Sequence, residues 1–250
     1  MTIIAIINQK GGTGKTTTAI NLGTALAILK KRVLLIDLDP QANLTYSFGI
    51  DASKGSMVEV LQGKQTIQTI LVNREGLDIA PSSITLADTE LSLVNKTGRE
   101  GSLKDRLKDL KGYDFVFIDS PPSLSILTIN ALTTADEVLI PLQMEVLSLQ
   151  GLAQLLNTVR EVKKVLNNRL RITGIIPSMY DARRRLSEEV LEELERNIKE
   201  KVFKTVIREN VKIAEAPSFA KSVICYSPLS HGTEDYSKLA KEFLREVNSL

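Results

Sequence analysis

The sequence predicts a doubly wound α/β fold, a mostly parallel sheet with helices packed on both of its faces. Two observations carry that prediction. Six short aliphatic runs, at residues 3–7, 33–36, 77–80, 115–118, 138–140 and 172–176, lack polar alternation, as strands buried on both faces must. Longer stretches of helical character lie between them, at residues 15–30, 102–110, 124–133, 148–166 and 187–200, and this alternation belongs to parallel sheets with crossover helices. No repeat, low-complexity tract or Pro/Gly/Ser linker breaks the series, so residues 1–250 read as one domain. A chain of 250 residues with 43% hydrophobic content is long enough to bury such a core.

Composition narrows the chemistry. The net charge is only +2, so any basic surface must be local. Cys225 is the single cysteine, which excludes an intramolecular disulfide and a multi-thiolate metal site and fits a reducing compartment. His231, the single histidine, argues against His-based catalysis. No run of about 18 apolar residues is present. The run at 3–7 is too short for a secretory signal, so a cytoplasmic protein is expected.

The first aliphatic run leads into Lys10-Gly11-Gly12-Thr13-Gly14-Lys15-Thr16-Thr17. Gly14-Lys15-Thr16 closes the phosphate-loop pattern G-x-x-x-x-G-K-[ST], but position 9, where its first glycine belongs, is Gln9, and Gly11 and Gly12 replace it. The physical requirements survive the substitution. Glycines let successive peptide N–H groups turn inward around a phosphate. The following helix presents its positive end to the anion. Lys15 neutralises the β/γ-phosphates, Thr16 offers a hydroxyl to Mg²⁺, and Thr17 is placed for the α-phosphate.

Two further runs end in carboxylates. Residues 33–36 lead to Asp37-Leu38-Asp39-Pro40-Gln41. Asp39 is the better candidate to orient or deprotonate an attacking water, and Asp37 to support Mg²⁺ through water; the competing reading makes both turn-forming or capping acids. Residues 115–118 lead to Asp119, a Walker B-like acid for Mg²⁺, followed by the stiff Ser120-Pro121-Pro122-Ser123, suited to a nucleotide-sensing switch.

Together these residues resemble the ParA/MinD family of deviant Walker A ATPases, marked by the additional lysine at Lys10. The resemblance covers nearly the whole chain and is closest to the short ParA/Soj partition ATPases, through residues 37–45, 118–124, 151–155, 179–183 and 214–218. It implies that ATP and Mg²⁺ are bound and ATP hydrolysed, with Lys10 crossing a face-to-face homodimer to the partner's nucleotide. It also implies nucleotide contacts at Met179 and Asn210, non-specific DNA binding, release from the nucleoid on hydrolysis, and stimulation by a ParB-type centromere-binding protein. Positive charge at Arg183 and Lys212 matches DNA-contacting positions of the family; phosphate contacts there would be sequence-independent and salt-sensitive. The competing reading of Arg183-Arg184-Arg185 is a solvated loop paired with the acidic helix that follows.

The chain departs from the family in two places. Ile207-Arg208-Glu209-Asn210 stands where partition ATPases usually carry Ile-Pro-Arg-Asn. The sequence also starts directly at the nucleotide-binding strand, so operator binding by an N-terminal helix-turn-helix is not expected. Near the C-terminus, Tyr236, Leu239, Ala240, Phe243, Leu244 and Val247 share one helical face. The opposite face mixes Lys238, Lys241 and Arg245 with Glu242 and Glu246, which favours core docking over stable membrane association. A MinD-like membrane-cycling regulator and a nucleoid-based cargo-positioning ATPase are the rival functions.

Overall fold

The computed structural model describes residues 1–248. Within them β1 (Thr2–Ile6), β2 (Val33–Asp37), β3 (Val72–Arg74), β4 (Leu77–Ala80), β5 (Phe115–Asp119), β6 (Glu137–Gln143), β7 (Arg171–Tyr180) and β8 (Ile207–Arg208) form one sheet. Its order is β3-β4-β2-β5-β1-β6-β7-β8. Only β3 and β4 pair antiparallel; the other neighbours are parallel.

The strands read as continuous apolar runs because alternate residues feed separate cores. Ala5, Leu34, Ile36, Val116, Ile118, Val138 and Ile140 belong to the core on one face. Ile4, Ile6, Val33, Leu35, Phe115, Phe117 and Leu139 belong to the core on the other. Period-2 geometry with both faces buried thus removes any polar alternation. The predicted helices are present with ends moved by a few residues: Lys15–Ile28, Ser102–Leu107, Ile126–Thr134, Val146–Val165 and Arg185–Asn197. The C-terminal helix (His231–Asn248) buries Tyr236, Leu239, Ala240 and Phe243 in the second core, with Leu244 and Val247 packed against it. That face is docked in the core, as its mixed-charge outer face predicts. No helix among the described residues is long and apolar enough to cross a membrane.

Differences from the sequence reading are local. β7 extends past residue 176 to Tyr180, and the short strands β3 and β8 close the two edges. Short helices at Asn43–Ser47, Met57–Gln62, Ile67–Ile70 and Leu86–Val94 fill the region between β2 and β5; none gives the three or more turns that make a helical period legible. The sheet winds outward to β4 in the first half of the chain and to β8 in the second. β1 stands near this reversal, where open α/β sheets hold ligands beyond the carboxyl ends of their strands.

Candidate nucleotide site

β1, β2 and β5 are adjacent and in register, Ile6 opposite Asp119 and Asp119 opposite Asp37. All three therefore deliver their following residues to one level of the sheet edge. From β1 the chain enters residues 7–14 under the control of Asn8, which sequence reasoning missed. Its amide donates to the Pro141 carbonyl at 2.7 Å, and its Oδ1 accepts from the Lys10 N–H at 3.0 Å. An asparagine directly after an apolar run is the signal the sequence offers. The Lys10 carbonyl accepts from the Thr13 hydroxyl at 3.4 Å and from Lys15 Nζ at 3.3 Å, drawing the loop inward.

Gly12 and Gly14 have φ of 75° and 92°, the left-handed region that side chains resist. A Cβ at Gly11, Gly12 or Gly14 would meet no heavy atom within 4 Å, so these glycines leave open space above the loop. Gly14 caps the helix Lys15–Ile28 with no side-chain hydrogen bond, and no acid lies in its first turn. The helix thus presents uncapped N–H groups to that space.

Lys15 is buried at 7% exposure. Burial pushes its ammonium pKa down, while the charges of Asp119 and Asp39 oppose the shift. Asp119 is wholly inaccessible, and neither of its carboxylate oxygens has a hydrogen-bond partner. Burial, then the nearby Asp37, push its carboxyl well above the usual range, against the Thr16 hydroxyl and Lys15, which favour the charged form. The Thr16 hydroxyl lies near Asp119 without satisfying either oxygen. A buried acid of this kind is costly, and it fits a group supplied from outside the chain.

Asp37 contrasts with Asp119. Its Oδ2 accepts from the Thr45 N–H at 2.9 Å and the Thr45 hydroxyl at 2.6 Å, and its Oδ1 from the Asp39 N–H at 3.2 Å. Burial nevertheless pushes its pKa up to about 6, with the Thr45 and Asp39 hydrogen bonds holding it lower than burial alone would. Asp37 thus grips the turn that carries Asp39. Asp39, itself 5% exposed, accepts the Gln41 N–H at 2.9 Å through Oδ1.

Two adjoining cavities share Gly14, Thr17 and Met179. The first, about 420 Å³, is lined by Gly11, Gly12, Lys15, Thr16, Asp39 and Pro122 among others. The second, about 520 Å³ and mainly apolar, is lined by Ile207, Asn210, Ile213, Pro217 and Tyr236 among others. A charged compartment beside an apolar one matches a nucleotide's phosphates and base. Met179 sits where they meet with φ of 53°, at a register shift between β7 and β8. Asn210 caps the helix Val211–Glu215, its Oδ1 accepting the Lys212 N–H at 2.8 Å; its amide N–H groups are the end suited to a base acceptor.

Lys10 lies at the rim, exposed, its Nζ donating to Glu145 Oε2 at 2.6 Å and Gln143 Oε1 at 3.1 Å. The arginine cluster is also engaged. Arg183 makes a two-pronged pair with Asp181 at 2.9 and 3.0 Å, which, with the Arg183 N–H, holds the Asp181 carboxyl down to about 2. Arg184 faces Glu209 at 3.8 Å, Arg185 pairs with Glu189 at 2.8 Å, and Lys212 with Glu215 at 2.8 Å. Arg183 nonetheless keeps 87% of its side chain exposed. Arg208 is spent on Asp235 and Glu234 of the C-terminal helix, which gives that departure from the family pattern a structural purpose.

Residues 1–172 match the AAA_31 family model, described as an AAA domain. The chain is 49% identical over 245 residues to the sporulation initiation inhibitor protein Soj of Bacillus subtilis, covering 96% of this chain and 97% of that protein. It is 44% identical over 249 residues to the chromosome partitioning protein ParA of Caulobacter vibrioides, covering 97% and 93%. A solved structure from Mycobacterium smegmatis, described as cobyrinic acid a,c-diamide synthase with bound ATP analog and magnesium, aligns with a TM-score of 0.87 and 38% identity over 100% of this chain and 96% of that one. With a phosphate loop led by Lys10, paired strand-end acids and full-length likeness to Soj and ParA, the chain belongs to the ParA/MinD family of P-loop ATPases, close to its chromosome-partition members.

Proposed function

We propose that this ATPase is a DNA-partition switch: with ATP and Mg²⁺ it forms a sandwich homodimer that holds non-specific DNA on the nucleoid, and hydrolysis, stimulated by a ParB-type partner, releases it. We take residues 1–250 to act as one such unit. The observation that carries the reading is the unsatisfied, fully buried Asp119 beside buried Lys15 at the mouth of a glycine cradle.

The residues fit a magnesium–nucleotide pair. Asp119, through water, and the Thr16 hydroxyl would hold the ion, which supplies charge neutralisation on the phosphates. No group of three or more His, Cys, Asp or Glu side chains forms a metal cage among the described residues, so phosphate and water would complete its shell. The amides of residues 11–17 and Lys15 bind the phosphates, and Asp39 orients the attacking water. Asp37, its oxygens occupied by Thr45 and Asp39, serves from behind the site rather than in the metal's inner shell. Met179 and Asn210 bound the base compartment.

Lys10 must leave Glu145 to reach a partner's nucleotide. The pair is exposed on both sides and so costs under about 1 kcal/mol to break, far less than a desolvated lysine–triphosphate contact returns. Lys10→Ala is expected to weaken ATP-dependent dimerisation and slow turnover by about 100-fold while the monomer still binds ADP. Sedimentation of the variant with a non-hydrolysable ATP analogue checks this; normal dimers with normal turnover reject the trans role.

For DNA, the exposed Arg183 and Lys212 are the contacts we assign, each exchanging an internal carboxylate for a phosphate. Replacing both with Glu should weaken binding to random-sequence DNA by about tenfold or more and flatten its salt dependence by about one unit of slope per lost contact. Unaltered binding across a salt titration moves the DNA surface elsewhere.

The experiment that separates the partition reading from a membrane-cycling one is retention on DNA-coated beads against flotation with anionic liposomes, each with ATP. Retention on DNA without flotation supports partition; flotation alone overturns it.

A further inference from the structure

We infer that Thr45 is a positioning residue for hydrolysis, its hydroxyl fixing the turn that carries Asp39. The inference rests on the assignment of Asp39 to the attacking water. Thr45 lies within the five-residue helix Asn43–Ser47 and is 4% exposed. Its hydroxyl has two partners in opposite roles: it accepts from the Ser82 N–H at 2.8 Å and donates to Asp37 Oδ2 at 2.6 Å. A peptide N–H can only donate, so the single hydroxyl hydrogen is committed to Asp37. Asp37 in turn accepts the Asp39 N–H through its other oxygen. One chain of hydrogen bonds therefore runs from the loop after β4, through Thr45 and Asp37, to the peptide nitrogen of Asp39.

The turn it closes is also held by the Leu38 N–H on the Asp119 carbonyl at 2.9 Å and the Gln41 N–H on Asp39 Oδ1 at 2.9 Å, while the Asp39 N–H itself is anchored by Asp37. The Ala42 N–H donates to the Asp39 carbonyl at 2.9 Å, and Ala42 itself is held at φ of 51°, a conformation that costs a non-glycine residue and persists only when its flanks are fixed. Without the hydroxyl, the buried Ser82 N–H loses its acceptor and Asp37 loses one of three donors. The Thr45 N–H still reaches Asp37, but the carboxylate that anchors the Asp39 N–H has lost its shortest contact and can shift, and a displacement of about 1 Å at a group that aligns a reacting water is enough to cost up to about 100-fold in rate.

The test compares Thr45→Val, Thr45→Cys, Thr45→Ser and Asp39→Ala in the full chain, measuring kcat and KM for ATP, ADP affinity and thermal unfolding. Thr45→Val should lower kcat by about tenfold or more with KM and ADP affinity within about twofold, and Thr45→Ser, which keeps donor and acceptor, should stay within about threefold of wild type. Thr45→Cys, a weak donor of similar size, should fall between them and carries the test should the valine variant not fold. An unchanged kcat in Thr45→Val or, if that does not fold, a Thr45→Cys kcat equal to that of Thr45→Ser, overturns the inference. So does a serine variant as slow as valine, or a kcat loss matched by equal loss of ADP affinity, the mark of a merely structural residue. Wild-type turnover in Asp39→Ala overturns the Asp39 assignment together with this inference; a slow Asp39→Ala beside a wild-type-like Thr45→Val overturns this inference alone.

Discussion

Lys15→Ala is expected to reduce ATP turnover by about 1000-fold and to weaken nucleotide binding, with the fold preserved. Lys15 is the buried cation of the glycine-lined compartment we assign to the phosphates, and its neighbours there are the acids Asp39 and Asp119. Removing it leaves two carboxylates facing a triphosphate with only the metal and the loop amides to offset the repulsion. The energetic asymmetry is large because the compartment is desolvated: a charge contact at 4 Å that is worth about 1 kcal/mol in water is worth about 4 kcal/mol at the effective dielectric of a protein site. Without nucleotide, the variant sheds the desolvation cost of a buried ammonium, and the buried Asp119, already favoured in its neutral form, takes up a proton in place of the lost charge, so no collapse of the apoprotein is expected. Turnover assays with fluorescent ADP titration check the prediction. Unchanged affinity and rate would dismantle the assignment of residues 10–17 as a phosphate cradle.

Asp39→Ala should separate binding from chemistry. A positioned acid or base contributes about 100- to 10,000-fold to a hydrolytic step, so turnover should fall within that range while ATP affinity is kept or increased. The reason for retained affinity is electrostatic, since removing a carboxylate from the compartment assigned to the phosphates would relieve repulsion. The ATP-bound dimer should therefore accumulate and remain on DNA. Single-turnover hydrolysis and sedimentation with ATP read the two halves of the expectation. Wild-type hydrolysis would shift the water-orienting role to another residue, and loss of ATP binding would recast Asp39 as a structural acid.

Much of this site was legible before the fold was known, for identifiable reasons. The phosphate loop is readable because its chemistry is local: Gly12 and Gly14 occupy left-handed conformations, and Lys15 and Thr16 follow at once on the helix. The central strands are readable because both of their faces are buried, which leaves an unmistakable aliphatic run. β8, by contrast, is two residues long, and β3 three, too short for any periodicity. The roles of Asp37 and Asp119 could not be separated by sequence, since each ends an apolar strand. What distinguishes them is Thr45, eight residues beyond Asp37, which donates to it at 2.6 Å, whereas the Thr16 hydroxyl near Asp119 satisfies neither of its oxygens. The pairs Lys10–Glu145 and Arg208–Asp235 join residues 135 and 27 positions apart, distances at which no local pattern reports a contact. They show what tethers the exposed Lys10 and what Arg208 binds at its position.

Whether the γ-phosphate state sets assembly can be read from sedimentation velocity of the wild-type chain with ADP and with a non-hydrolysable ATP analogue, each with and without random-sequence DNA. The chain should be a monomer with ADP that ignores DNA, and a dimer with the analogue that co-sediments with it. A single species of one mass in all four samples, or DNA binding indifferent to the nucleotide, would contradict that dependence.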